Sequence, residues 1–363
     1  MVRAIFLFIL FVHGLIHLMG FVKAFKLADI PQLTQPISKA NGLLWLLTTL
    51  LFVAAAVLLF MKKDVWWLIA LPAVVLSQVL IALSWGDAKF GTIANAIALV
   101  GITLGWAAWD FNKMVEQELD ALLPKTQATP EMITEERIQS LPPIVQTWLR
   151  RSNALGKPRI QTVHLHQKGE MRTTPEGKWM SVEAEQYFTT NPPGFIWVAD
   201  VDMMPFLHLA GRDKYKDGKG HMLIKALSLV PVADATGAET DQGTMLRYLA
   251  EIIWFPTTAL SDYITWEPVD VTSAKATMTY GDVTASGVFT FNQAGDMLYF
   301  EADRYYDRKE GATLERWHIE NSGYKEMNGI RIPVKSAVSW KLKEGDFTWY
   351  QLEITEIEYN FSQ

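Results

Sequence analysis

KWMSVEAEQYFTT (residues 178–190), the turn NPPG (191–194) and GFIWVADVDM (194–203) decide how most of this chain folds. Apolar side chains fall on every second position: Met180, Val182, Ala184 and Phe188 in the first run, Phe195, Trp197, Ala199 and Val201 in the second. A period of two marks strands with one face on a core, because a helix repeats its apolar positions every three or four residues. Proline and glycine between the runs supply the turn.

The same signature extends outward on both sides. RIQTVHLHQKGEMRT (159–173), TSAKATMTY (272–280), VTASGVFTFN (283–292), DMLYFEADRYY (296–306), RIPVKSAVSWKL (331–342) and FTWYQLEITEIEYN (347–360) are rich in β-branched and aromatic residues. Turn sequences separate them, among them PEGK (175–178), DGKG (217–220), NQAGD (292–296), MNG (327–329) and KEGD (343–346). About ten or eleven strands with short connections predict a meandering antiparallel sheet over 159–363. One helix interrupts it near DQGTMLRYLAEIIWF (241–255), with Leu246, Leu249 and Ile253 as its apolar stripe. A sheet of this size must close or curl. The expected domain is therefore α+β, a large curved antiparallel half-barrel with one packed helix. Its concave face would carry Met180, Phe188, Phe195, Trp197, Leu246, Leu249, Ile253 and Trp254, either as core or as the lining of a site for an apolar ligand.

Upstream the pattern changes completely. Half of the 363 residues are hydrophobic and the mean hydropathy is +0.09, an average over two unlike parts. Ala4 to Val22, Leu43 to Met61, Val65 to Trp85 and Ile93 to Phe111 approach the length of about 20 apolar residues needed to cross a bilayer. Lysine and tryptophan anchors close them, including Lys23, Lys62, Lys63, Trp66, Trp67, Trp106 and Trp109. A cleaved signal peptide is not expected, because the first apolar run is too long and no small-x-small site follows it. Residues 1–111 thus read as a four-helix transmembrane domain. Residues 112–158 read as a helical connector, with KMVEQELDALL (113–123) stopped by Pro124 and two short helices starting near Thr129 and Ser140.

Charge divides the same way. The first 111 residues hold 7 Lys/Arg against 4 Asp/Glu, which leaves 26 against 35 for the remainder. The acidic part lacks the basic footprint that nucleic acid requires. With no cysteine in the chain, disulfides, thiolate catalysis and Cys-ligated metals are excluded. Loop lysines and arginines divide four against four across the membrane, so the positive-inside rule sets no orientation. Only the first helix, followed by Lys23, Lys26 and Lys39, favours external termini.

HGLIHLMG (13–20) places His13 and His17 one turn apart on one helix face. The four spans offer no further histidine and no central carboxylate, so no metal or haem is expected there. The remaining readings are hydrogen bonding to Gln78, Ser77, Thr48 or Asn95 between packed helices, with Gly14 allowing close approach, or a proton-responsive or quinone-contacting site. VHLHQ (163–167) sets His164 and His166 on one strand face, a spacing that occurs in metal sites. Without an HxxxH or HxH-D grouping they read as exposed strand histidines. Arg247 and Glu251 form an i,i+4 pair, read as an ordinary ion pair. GxSxG, HExxH, a P-loop and GxGxxG are all missing, so the sequence carries no enzyme signature and no catalytic residue is assigned.

HGLIHLMGFVKAF, QLTQPIS (32–38), WGDAKFGTIAN (85–95), LPPIVQTWLRRS (141–152), GKWMSVEAEQYFT (177–189), SLVPVADATG (228–237), LRYLAEIIWFP (246–256) and TEIEYN (355–360) together resemble an uncharacterised bacterial four-span membrane protein family, a domain of unknown function. That resemblance implies no activity and no cofactor. In element order alone, the C-terminal domain is similar to the lipoprotein-carrier (LolA/LolB-like) fold, whose unclosed barrel holds acyl chains. The expectation is a multi-pass protein of the bacterial cytoplasmic membrane with its β domain outside the cytoplasm. It would contact membrane lipids and bind a lipid, an acylated protein or another apolar ligand in envelope transport or sensing. The alternatives are a membrane enzyme or redox component using His13 and His17, with Gln78 nearby, and a purely structural scaffold.

Overall fold

The computed structural model describes residues 2–124, 131–204, 207–307 and 311–361; Thr129, expected near a helix start, lies outside them. The chain divides into two compact units, the first running to Met114 together with Leu227–Leu229, the second formed by the remainder from Val115.

The first unit holds α1 (Val2–Ala24), α2 (Lys39–Phe60), α3 (Trp66–Leu83), the single turn α4 (Trp85–Ala88) and the beginning of α5 (Gly91–Leu122). The four longer helices are long and apolar enough to cross a membrane. Large apolar side chains such as Phe8, Leu50, Phe60 and Val75 point outward and are exposed, a pattern that fits lipid and would be an aggregation hazard in water. Inside, small residues set the helix spacing. At Gly14 a Cβ would stand 2.7 Å from the Cβ of Phe52, and at Gly20 it would collide with the Trp45 ring. The outward and inward sides are thus separated by size and polarity rather than by hydrophobicity.

The fourth span and the first helix of the connector form one continuous element, α5, which ends at Leu122, just before the stop expected at Pro124. Nothing between Phe111 and Pro124 breaks a helix, and a switch from apolar to polar composition does not interrupt backbone hydrogen bonding. Beyond it come α6 (Glu135–Ile138) and α7 (Pro143–Arg151), the latter with Pro at its first position and Ile144, Val145, Trp148 and Leu149 buried.

The second unit is built on one 13-stranded antiparallel sheet. One arm comprises β1 (Thr162–Met171), β2 (Met180–Thr190), β3 (Pro193–Met204), β4 (Leu207–Lys216), β5 (Lys219–Ala226) and β6 (Val230–Ala235). The other comprises β7 (Ile264–Pro268), β8 (Ser273–Tyr280), β9 (Val283–Phe291), β10 (Met297–Tyr306), β11 (Thr313–Met327), β12 (Ile330–Leu342) and β13 (Gly345–Tyr359). Neighbours follow chain order except at the centre, where β1 pairs with β13. Hairpin turns use residues that tolerate positive φ: Asp217–Gly218 between β4 and β5, with φ of 52° and 77°, and Asn328–Gly329 between β11 and β12, with φ of 47° and 79°.

The connection between the two edges lies inside the curve of the sheet. Thirteen strands at about 4.8 Å spacing would leave β6 and β7 about 58 Å apart in a flat sheet. The chain joins these two edges through α8 (Ala238–Glu251), whose 14 residues cover about 21 Å. The 3-10 turns Ile252–Trp254 and Pro256–Leu260 add about 16 Å. Because α8 packs at once on β4 and β5 of one arm and on β8, β9 and β10 of the other, the sheet curls around it. The result is a half-barrel with the helix in its concavity, as the sequence predicts. On the remaining flank Asp296 accepts paired hydrogen bonds from Arg151 of α7 and Arg331 of β12.

Candidate functional site

Of the eight residues expected at the concavity, four lie on β2 and β3 and four on α8 and the 3-10 turn that follows it. Met180, Phe188, Phe195, Trp197, Leu246, Leu249, Ile253 and Trp254 are between 0 and 8% exposed and belong to one apolar cluster. Phe188 packs against Phe195, Tyr248 and Phe255. This centre of the concavity is closed by α8.

Beside it runs a chain of polar groups whose directions are fixed by its members. Trp197 Nε1 can only donate, and it donates to Gln167 Oε1 at 3.1 Å, as does the Tyr350 hydroxyl at 3.2 Å. Gln167 Nε2 must then donate to Gln186 Oε1 (3.1 Å), and Gln186 Nε2 to Glu251 Oε2 (2.8 Å). Glu251 Oε1 accepts from Arg247 Nε (2.9 Å), and Arg247 Nη1 reaches Asp213 (2.7 Å). One guanidinium thus serves two carboxylates. Burial pushes the Glu251 carboxyl up, with Arg247 and Gln186 opposing it. For Arg247 burial works against the charge, and Glu251 and Asp213 more than offset it.

The charge is completed by Arg304 on β10. Its guanidinium lies over the Trp317 ring at 4.5 Å and near Trp340 at 5.9 Å, and Gly243 of α8 leaves room for it. No hydrogen-bond acceptor among the described residues meets it, and it remains half-buried rather than sealed. Burial, reinforced by Arg247, lowers its pKa to about 10, so it stays cationic at neutral pH. Trp317 Nε1 and Trp349 Nε1 are buried with no acceptor among the described residues. Around them Tyr306, Leu342 and Trp349 are half-buried against the core. This part of the concave face therefore offers donors and apolar surface but few acceptors.

Sequence reasoning isolated the Arg247–Glu251 pair as an ordinary ion pair and missed what surrounds it. Gln167 and Gln186 carried a detectable signal, since each is a polar residue on the apolar phase of its strand, flanked by Leu165 and by Ala184 and Phe188. Arg304 sits in the same phase as Phe300 and Ala302.

In the first unit His13 and His17 meet Ser77 and Asn95, and Asn95 in turn meets Gln78. His17 Nδ1 faces the carbonyl of His13 at 2.8 Å and so carries a proton, while Nε2 lies 2.8 Å from Ser77 Oγ. His13 Nε2 bonds Asn95 Oδ1 at 2.9 Å. Asn95 Nδ2 donates to Gln78 Oε1 and Gln78 Nε2 to Thr92, which orients the Asn95 amide and makes His13 Nε2 the donor. Ser77 has one hydroxyl proton and two acceptors, His17 Nε2 and Asn95 Oδ1. Of the expected partners Gln78 reaches the histidines only through Asn95, and Thr48 stays apart, bonding the carbonyl of Leu44 in its own helix. A cavity of about 360 Å³ adjoins this cluster, bounded by His13, His17, Trp45, Leu33, Asp87 and Phe90. At its rim Asp87 accepts from the Thr34 hydroxyl and the backbone of Thr34 and Gln35. The Thr34 hydroxyl and the Gln35 backbone hold its carboxyl below the usual range.

Comparison with known proteins places the second unit. The sequence pattern described as "Family of unknown function (DUF6544)" matches residues 131–352. The chain belongs to that family. The match covers α6, α7 and most of the sheet and leaves the four long apolar helices outside it. No curated protein matches the chain. Among solved structures it is similar to a DUF1329 family protein from Desulfovibrio piger, at 11% identity and a TM-score of 0.36 over 61% of this chain and 93% of that one. A LolA superfamily protein from Nitrosomonas europaea gives 9%, 0.35, 60% and 94%. An outer membrane lipoprotein-sorting protein domain from Vibrio parahaemolyticus gives 9%, 0.34, 61% and 92%.

Proposed function

We propose that the β unit is a membrane-anchored binding module for an amphiphile, a lipid or an acylated protein, and works in the bacterial envelope. The observation that carries this reading is the set of donors on the concave face that meet no acceptor among the described residues, Arg304 and Trp317 above all, next to half-buried apolar side chains. A buried donor left unpaired costs roughly 1–3 kcal/mol, and an acyl ester, carboxylate or phosphate would satisfy it. The apolar chain of the same ligand would lie along Tyr306, Leu342 and Trp349, and α8 with the eight sealed core residues would form the floor. The four apolar helices support anchoring in the cytoplasmic membrane. The lysines after the first of them support an external β unit, which protease accessibility of the C-terminus in intact cells checks.

The test uses the full-length protein in detergent, stripped of lipid and titrated with a fluorescent fatty acid. Saturable binding that Arg304→Gln weakens by roughly 10-fold or more, the value of one charged hydrogen bond, supports the reading. No binding, or binding indifferent to Arg304→Gln, overturns it. A second reading is favoured by the cavity beside His13 and His17: a small apolar molecule with a hydrogen-bonding head, in a membrane enzyme or redox component. A haem or quinone absorption band that co-purifies with the protein and disappears in His13→Ala would support that assignment instead.

A further inference from the structure

We propose that His164, His166 and Glu185 form a binding site for a transition-metal dication of the zinc class on the outer face of the sheet. Histidines two apart on β1 share a face, and the sequence supplies only these two nitrogens. The third donor comes from the next strand, because register sets Glu185 of β2 directly opposite His166. One ligand atom from each of the three residues lies within 4.8 Å of the other two. His164 Nε2 stands 3.5 Å from Glu185 Oε2, and His166 Nδ1 stands 3.7 Å from Glu185 Oε1. Tetrahedral zinc with ligands at about 2.0–2.1 Å requires donor atoms about 3.3–3.4 Å apart, so small side-chain rotations close the shell.

Two further features distinguish this cluster from a chance surface ion pair. His164 Nε2 is buried without a hydrogen-bond partner, which corrects the expectation of an exposed histidine at this position, whereas the His166 side chain is 37% exposed, as expected. Tyr187 then holds two of the three ligands at once. Its hydroxyl donates to Glu185 Oε2 at 2.9 Å, and its ring stacks on His164 at 4.2 Å and 6°. Outer partners of this kind orient metal ligands. On the other side of β1, register brings Glu358 opposite His164 and Glu356 opposite His166, so further carboxylates flank the open coordination positions. Two imidazoles with a carboxylate select zinc, copper, nickel or cobalt over calcium and magnesium, which prefer all-oxygen shells. The site lies across the sheet from the concave face and does not depend on what binds there.

The experiment is calorimetric titration of Zn²⁺ into tag-free full-length protein in detergent, with Co²⁺ absorption as a second readout. Saturable uptake of one ion per chain is expected, together with the intense visible bands of low-coordinate Co²⁺. Glu185→Gln and His166→Ala should abolish saturable uptake, and Tyr187→Phe should weaken it roughly 10- to 100-fold, as for other outer partners. Magnesium should not compete. Wild-type protein that shows no saturable uptake, or only the weak six-coordinate Co²⁺ spectrum, overturns the proposal without recourse to a variant. So does uptake unchanged in folded Glu185→Gln.

Discussion

Each unit buries a polar chain, and the two chains are made differently. In the helical unit every member of His13, His17, Ser77, Asn95, Gln78 and Thr92 can be neutral, and the bonds run from helix to helix. In the β unit the chain from Trp197 to Asp213 ends in three formal charges, with a fourth on Arg304 beside it. Helices apolar enough to cross a membrane would have no water there to share the cost of an ion, and here amides, hydroxyls and imidazoles join them. The half-barrel keeps its ions by sharing Arg247 between Glu251 and Asp213 and by leaving Arg304 only half-buried over Trp317. Polarity in the first unit serves association, and in the second it fixes the position of one helix against one sheet.

The largest expected effect tests that dependence on counter-charge. Arg247→Met leaves Glu251 and Asp213 without their shared cation and should cost about 3–5 kcal/mol, read as a fall in the midpoint of chemical denaturation of the β unit. The double variant Arg247→Met with Glu251→Gln should recover part of that loss, and failure to do so would show that packing rather than charge dominates. Next comes the flank. Arg151 and Arg331 outweigh burial to hold the Asp296 carboxyl below its usual value, so its stabilisation is present above the unfolded carboxyl range and is lost as pH falls through that range and below. Asp296→Asn should lower stability at neutral pH by roughly 1.5–3 kcal/mol and flatten the acid limb of the stability profile. In the helical unit His17→Ala should cost about 1–2 kcal/mol, the upper range for interhelical bonds in a membrane, measured by thermal unfolding in detergent. Gln78→Ala, further from the histidines, should cost about 0.6 kcal/mol. Should His17→Ala exceed Arg247→Met, the contrast between the units is wrong.

Much of the fold was legible because its rules are local. Alternation announced β1, β2 and β3, and turn chemistry placed Asp217–Gly218 and Asn328–Gly329 at hairpins. The short β7 and the charge-rich β4, β5 and β11 were less visible. LHLAGRDKYK and TLERWHIENSGYKEM carry so many charges that alternation is seen only at Tyr215, Trp317 and Ile319. The central pairing of β1 with β13 was not legible at all, because no local pattern encodes a contact between residues nearly two hundred positions apart. The sites divide in the same way. His13 and His17 drew notice as polar residues in an apolar run, and their partners Ser77, Asn95 and Gln78 could be named from a short inventory. Arg304 and Glu185 look like any other charged strand residue until register shows which face they occupy and what stands opposite.

The central pair also sets a timetable for synthesis. β1 is bordered by β2 on one side and waits for β13 on the other, and the two meet from Val163↔Tyr359 to Met171↔Tyr350. At about 5–20 residues per second a ribosome needs roughly 10–40 s to deliver that partner. Throughout that interval the edge of β1, where His164 and His166 lie, stays open to other chains. An unpaired strand edge of this kind is a template for wrong pairing, so the interval before the last strand arrives is the stage at which this sheet is most exposed to aggregation.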